Sequence, residues 1–330
     1  MPLPYIGHNS AIGFGIESTW GTTVARDKFL RPMSVPSVRV TNWAPRNSLG
    51  RAAQPSRMPT LTSYAGTEAV SGSLSFEASY DDFTVGLVVA AMGASSVATT
   101  GTGPYTHTIL PKSAEYEGLS CELRRGDSGE AELIAGMVPS GFVFSWSAGQ
   151  QCMVEFPFIA KTSSRSTSLT TVSYSSNGEC VNHDAGGRLN YGGTLYATSS
   201  GRITFDRGIS GRSLLGSRTI QKPVASSMMS ATFEFEIEYD SDSDGFFWPA
   251  AHNSGAAPGS GTLEVAFTSG TKSLTISSNL VEILSVSDPI SGPGRIMQRV
   301  TGRMLANADT TAQQGIKVVY VNGNSSALAN

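Results

Sequence analysis

Asp240, Asp242, Asp244 and Gly245 stand in the D-x-D-x-D-G order that opens a calcium loop, with three carboxylates as ligands and a glycine for the turn. Such a loop closes on a bidentate Glu at its twelfth position, which here is Ala251, and its ninth position is Trp248. A helix should also lead into the loop. Instead Phe233, Phe235, Ile237 and Tyr239 alternate with Glu234, Glu236 and Glu238, the pattern of a half-buried strand with one acidic face. A solvated acidic turn fits these residues better than a calcium site. A second candidate is Gly126-Asp127-Ser128-Gly129, which places Ser128 as a serine nucleophile would stand. Glu130-Ala131-Glu132 follows it, and the nearest upstream histidine, His107, lies in the unrelated context PYTHTIL. Asp-Ser-Gly between two alternating runs is what a hairpin turn requires. His8, His107, His183 and His252 are scattered without ligand spacing, and GTGPYTH (101–107) lacks the lysine and helix of a phosphate loop. Trp20, Trp43, Trp146 and Trp248 are dispersed and form no stacking platform for single strands. The expectation is no catalytic residue, no metal and no cofactor.

The acidic cluster has another explanation in an internal repeat. Residues 73–91, SLSFEASYDDFTVGLVVAA, align without a gap on 232–250, TFEFEIEYDSDSDGFFWPA. Ser75-Phe76-Glu77 lies over Glu234-Phe235-Glu236, Tyr80-Asp81 over Tyr239-Asp240, and Gly86 over Gly245. Upstream, RNSLGRAAQ (46–54) is echoed more loosely by RSLLGSRTIQ (212–221). The aspartates then mark a strand-to-helix junction, where Asp and Ser accept the free amide hydrogens of a helix start. Pro249 is expected to truncate the second helix or confine it to one turn.

Composition agrees with a predominantly β chain. Of 330 residues, 39% are hydrophobic and only 15% charged, and short alternating runs are broken by Gly, Pro and Asp. A net charge of −3 gives no bulk attraction to nucleic acid. Cys121, Cys152 and Cys180 are widely spaced without a C-x-x-C pair, so they read as small buried or half-buried residues, neither disulfides nor zinc ligands. MPLPYIGHNS lacks the basic start and apolar core of a signal peptide, and VGLVVAAMG (85–93) is too short to span a bilayer. No membrane partner is expected.

The alternating runs predict strands at 37–42, 70–80, 105–110, 118–125, 130–138, 141–147 and 151–160, with a helix at 82–93. The second half predicts strands at 194–206, 230–239, 262–268, 272–286, 294–304 and 315–321. Residues 162–176, in which eleven of fifteen are Ser or Thr, fit either a connector or a polar strand. The expected organisation is a first unit at 1–161, a Ser/Thr-rich connector at 162–180 and a second unit at 181–330.

GFGIESTWGTTVARDKFLRP (13–32), followed by SGSLSFE (71–77), a short helix and YTHTI (105–109), resembles in order and spacing the tail tube proteins of long, non-contractile-tailed bacteriophages. The resemblance covers about 1–160, and the internal echo extends it to about 320. It implies a fold of tandem duplicated β-sandwich or barrel units, each with a short flanking helix, whose inner strands join those of neighbours in a ring-wide β-barrel. It implies a structural subunit of the phage tail, assembled in the host cytoplasm, whose stacked rings conduct double-stranded genomic DNA. Partners would be further copies of the chain, the tape-measure protein, and the terminator and distal tail proteins. In such a tube Glu77, Glu234, Glu236 and Glu238 would face a negative lumen that lets DNA slide. Long loops carrying Arg46, Arg51, Arg57, Arg207, Arg212 and Arg218 would reach an adjacent subunit or ring and pair with carboxylates there.

Family rings of single units are six-fold, with about four inner strands per subunit, so a two-unit chain should close the ring as a trimer of pseudo-six-fold symmetry. About 24 strands spaced ~4.8 Å and tilted ~40° give a lumen ~38 Å wide, ample for a duplex of ~20 Å. A homohexamer is the alternative if only one unit supplies inner strands. A virion-associated or cell-surface β-sandwich binding module is the competing class; it would be monomeric, with aromatics exposed on loops. An enzyme would need a convergent polar site.

Overall fold

The computed structural model describes residues 10–34, 39–44, 64–80, 82–92, 97–98, 103–112, 118–126, 129–174, 179–182, 188–252, 260–288, 295–306 and 315–323. The first strands are β1 (Ala11–Ile16), β2 (Lys28–Leu30), β3 (Pro32–Ser34), β4 (Arg39–Ala44) and β5 (Tyr64–Glu77), followed by helix α1 (Asp82–Met92). Then come β6 (Val97–Ala98), β7 (Tyr105–Ile109), β8 (Leu119–Arg124), β9 (Ala131–Pro139), β10 (Gly141–Ser147), β11 (Met153–Ala160) and β12 (Thr162–Ser166). The remainder of the chain starts with β13 (Arg188–Tyr191), β14 (Thr194–Tyr196), β15 (Thr198–Asp206), β16 (Ile209–Arg212), β17 (Gln221–Ala225) and β18 (Ser230–Glu238). Helix α2 (Ser241–His252) leads to β19 (Ser260–Ser269), β20 (Lys272–Ser287), β21 (Met297–Met304) and β22 (Lys317–Asn322).

One antiparallel sheet runs through both halves of the chain. Its lanes are β3 with β4, then β5, β11, β10, β15, β18, β21 and the C-terminal part of β20. The junction between halves is β10 against β15, registered over Gly141–Ser147 and Asp206–Ser200. It is tight: a side chain at Gly141 would collide with the carbonyl of Phe205, and one at Gly201 with the indole of Trp146. Only glycine lets the strands and the ring approach this closely.

Behind this sheet lies a second layer. In the first half β2–β1–β8–β9–β12 pair in that order, and in the second β14–β13–β19–β20–β22 do the same. β22 also pairs with β7, tying the C-terminal strand to the first half; there His107 and Asn322, both buried, meet at 3.0 Å. The apolar face of every lane with described side chains points into the space between the layers. Val70, Leu74 and Phe76 of β5 and Phe233, Phe235 and Ile237 of β18 are buried there. Phe14 of β1 packs on Phe83 of α1 at 4.8 Å, and Phe144 of β10 on Phe267 of β19 at 5.5 Å. This is a two-layer β architecture with a helix at each strand-to-helix junction.

Two buried carboxylates pin the outer layer of the first half. Glu17, fully buried, accepts hydrogen bonds from the amides of Gly21 (2.6 Å) and Gly136 (2.8 Å) and from Ser120 Oγ (2.8 Å). Gly21 has φ of +76°, which closes the turn back onto the carboxylate, and Trp20 Nε1 donates to the Gly136 carbonyl at 3.0 Å. The E-S-T-W-G run is therefore a structural clamp between the first strand and the β9 hairpin. Glu122 is the second. It takes charged hydrogen bonds from Arg26 (2.8 Å) and Arg124 (2.7 Å) and a further one from Thr170 Oγ1 (2.7 Å).

Pro249 does not truncate α2, contrary to the sequence expectation; the helix continues to His252. Proline removes one hydrogen bond, to the carbonyl four residues back, and that residue is Gly245. The turn is held by tertiary contacts: Phe247 is fully buried against Tyr191, Tyr196 and Phe235 at 5.0–5.6 Å. The Ser/Thr-rich segment is a strand over its first five residues, β12, paired with β9.

Glu17→Ala leaves two buried donors and the part-buried Gly21 amide without an acceptor and is expected to destabilise the fold by about 3 kcal/mol, read from urea unfolding. For Glu122, burial alone would raise the carboxyl pKa, but the hydrogen bonds from Thr170, Arg124 and Arg26 outweigh it and hold the pKa below 4.5. A depressed folded pKa means stability that is present above the unfolded value and lost as pH falls through the folded one. The stability deficit of Glu122→Gln should accordingly be full near neutral pH and shrink as pH falls below about 4.5. A deficit independent of pH would contradict this.

Candidate assembly face

Strand alternation that buries one face of the long sheet leaves the other face largely polar on β5, β15, β18 and β21, while Val143 of β10 and Met153, Pro157 and Ile159 of β11 make its middle partly apolar. Glu234, Glu236 and Glu238 project from β18 opposite Phe233, Phe235 and Ile237; the first two are half-buried and Glu238 is exposed. Glu77 and Glu155 occupy the same face on β5 and β11, with Ser73 Oγ donating to Glu155 at 2.6 Å. Cys180 Sγ donates to Glu77 at 3.3 Å.

The acidic residues are not left bare. Arg299 of β21 meets Glu234 at 2.5 Å, Arg303 pairs with Glu282 of β20, and Arg295 lies 3.5 Å from Glu238. Glu236 accepts from Ser199 at 3.1 Å and Ser200 at 3.3 Å, and Arg202 stands directly across from Glu234 on β15. The hydrogen bond to Glu234 raises the Arg299 guanidinium pKa further. Carboxylates nevertheless outnumber guanidinium groups on the strands of this face. MQRVTGRM alternates with the same period as FEFEIE, which puts Arg299 and Arg303 on one face of their strand.

The arginines expected on long loops fall in different places. Arg46, Arg51 and Arg57 lie outside the described residues. Arg207 is 4% exposed, at the turn between β15 and β16, where its amide donates to the Ser140 carbonyl at 2.8 Å. Arg212 and Arg218 are exposed on the β16–β17 hairpin, together with Leu214 and Leu215. That hairpin leaves the sheet between β15 and β18 and leans back on the first half. The Glu68 amide of β5 donates to the Arg218 carbonyl at 2.5 Å, and Thr219 bridges Glu68 in parallel.

The other chemical candidates resolve into structure. Asp240 precedes the helix and the backbone is already helical from Ser241, so the D-x-D-x-D-G run is a helix start instead of an ion-binding loop. Gly126 and Gly129, with φ of +60° and +67°, close the turn between β8 and β9; Asp127 and Ser128 lie outside the described residues. His252 stacks on Trp248 at 3.8 Å, and His8 and His183 lie outside the described residues. Among the described residues no three His, Cys, Asp or Glu side chains converge as metal ligands. All three cysteines are free thiols; burial pushes Cys152 up to about 12 and Cys180 up to about 11.

A two-layer β chain whose long sheet has an apolar inner face, an acidic outer face and a projecting hairpin has the surfaces that an assembly subunit uses. The chain matches the family model of the phage tail tube protein over residues 7–304, and it belongs to that family. Comparison with curated proteins returned no match. The family is a structural one: its members assemble into the tube of a phage tail, which makes this chain a component of the virion tail. No helix among the described residues is long and apolar enough to cross a membrane.

The two faces of β18 differ in energetic role. Phe235→Ala is expected to cost about 3–5 kcal/mol through a core cavity, and Glu236→Ala less than about 1 kcal/mol because its partners keep access to water. Chemical denaturation of both variants checks this; equal costs would show that the face with the glutamates is also packed within the folded chain.

Proposed function

We propose that this chain forms the wall of a long, non-contractile phage tail, with the polar face of the long sheet turned to a DNA-conducting lumen. The observation that carries the proposal is the repeated lane order. The first half contributes β3/β4–β5–β11–β10 and the second β15–β18–β21–β20. A helix follows β5 and another follows β18, at positions 159 residues apart. The strand leading into each repeat segment is hairpin-paired in both halves: Ala65 of β5 stands opposite Trp43, and Val224 of β17, 159 residues after Ala65, opposite Ser210, eight residues beyond the equivalent of Trp43. The two halves act as equivalent wall units, 1–161 and 181–330, with 162–180 between them.

Each chain then supplies eight lanes, and three chains supply the ~24 that enclose a lumen wider than duplex DNA. Carboxylates along that lumen (Glu77, Glu234, Glu236 and Glu238 among them) repel phosphate, so the duplex passes without sticking. The exposed tip of the β16–β17 hairpin, with Arg212, Leu214 and Leu215, contacts adjacent subunits or rings, and Arg46, Arg51, Arg57 and Arg218 serve the same contacts. Stacked rings assembled in the host cytoplasm around the tape-measure protein, and closed by terminator and distal tail proteins, complete the tail.

Cryo-electron microscopy of the assembled protein tests the reading. Tubes with Glu234, Glu236 and Glu238 on the inner wall are expected. Glutamates on the outer surface, or a protein that remains monomeric under all assembly conditions, would overturn it.

A further inference from the structure

Two strand edges of the long sheet have no partner among the described residues. One is the free side of β3, whose other side pairs with β5. The other is the end of β20, residues 283–287: β21 pairs with one side of it, and β19 reaches β20 no farther than Glu282. Open edges present rows of backbone N–H and C=O groups that a further strand satisfies. Each edge also carries an exposed apolar side chain, Met33 at 57% and Leu284 at 52%.

The chain already contains one joint between a last lane and a first lane, β10 against β15. Its register can be carried to the open edges through neighbours. Ser145 stands opposite Arg202. Ser145 is also opposite Met153, and Met153 is opposite Glu77. The repeat equivalent of Glu77 is Glu236, which stands opposite Arg299, itself opposite Ser287. Ser287 thus holds in the second half the lane position of Ser145 in the first. By the same steps Arg202 is opposite Glu234, whose repeat equivalent Ser75 is opposite Ser34. Strand direction agrees as well. Lanes alternate in direction, and an even number of them brings β20 to the next β3 in antiparallel sense.

We infer that the end of β20 in one copy pairs antiparallel with β3 and β4 of a second copy, with Ser287 opposite Ser34, so that the seam between subunits reproduces the β10–β15 joint inside each. The inference rests on the tube reading and can fail separately from it. Other occupants of these edges, such as a different tail protein, are outcomes of the test.

The test is Ser34→Cys combined with Ser287→Cys, assembled, mildly oxidised and run on a non-reducing gel. Directly opposed residues on antiparallel strands lie about 4.5–5.5 Å apart at Cα, within disulfide reach. Within one chain the two positions sit on opposite edges of the sheet, about 34 Å apart at ~4.8 Å per lane, so no internal bridge competes. Reducible dimers and trimers are expected. The pair Ser34→Cys with Ser285→Cys, out of register by about 7 Å along the strand, should cross-link several-fold less, and each single variant should not cross-link. Rings without the cross-link, or with equal cross-linking by both pairs, overturn the seam and leave the tube reading standing. An unmodified chain that forms no rings overturns both. If the double variant does not assemble, amide hydrogen exchange of the unmodified protein decides: residues 32–34 and 283–287 must be protected in tubes relative to the dissociated chain, and equal exchange overturns the seam.

Discussion

A β-sheet satisfies its backbone only where each strand has a neighbour on both sides, and that requirement organises this chain from its glycines to its assembly. Strands from both halves share one ladder, so the β10–β15 joint is made of the same hydrogen bonds as any joint within a half. Gly141 and Gly201 permit the close approach there, while Phe142 and Phe205 pack across it with ring centroids 5.7 Å apart. The halves are consequently not beads on a linker; each leaves an edge that the other completes. Among the described residues, what remains open after folding is one edge at each end of the run.

The core supports the sheet from behind without closing it. Aromatic contacts connect the long sheet to the second layer and to both helices, as where Phe235 meets Phe247 and Phe144 meets Phe267. Glu17 and Glu122 anchor the outer strands through buried, fully engaged carboxylates, a costly device unless every oxygen is paired. These interactions hold the second layer in place behind the long sheet. Its ion pairs with Arg299 and Arg303 moderate the repulsion among neighbouring glutamates while keeping the face polar.

Much of this was legible because period-two alternation is a local property. FEFEIE announces both its strand and its two faces, and the 159-residue repeat places α1 and α2 at matching points. Segments whose structure depends on distant neighbours were not legible. AIGFGI lacks the alternation of apolar and polar residues that marks a strand, yet it is β1, and its glycines make room for the ring of Phe29 and the carbonyl of Ala25. ISGR and QKPVA read as loop and are the two strands of a projecting hairpin. Pro249 argued against a helix that the burial of Phe247 maintains. The acidic face of β18 and the arginines of β21 are both legible in the period-two alternation of FEFEIE and MQRVTGRM. For the β16–β17 hairpin and α2 a tertiary contact outweighed the local preference.

The central claim is that both halves contribute equally to one closed wall, and the number of chains per ring measures it most directly. Native mass spectrometry of isolated rings should give three chains of 34.6 kDa each. Six chains per ring would show that only one half of each chain lines the wall, and would contradict the account.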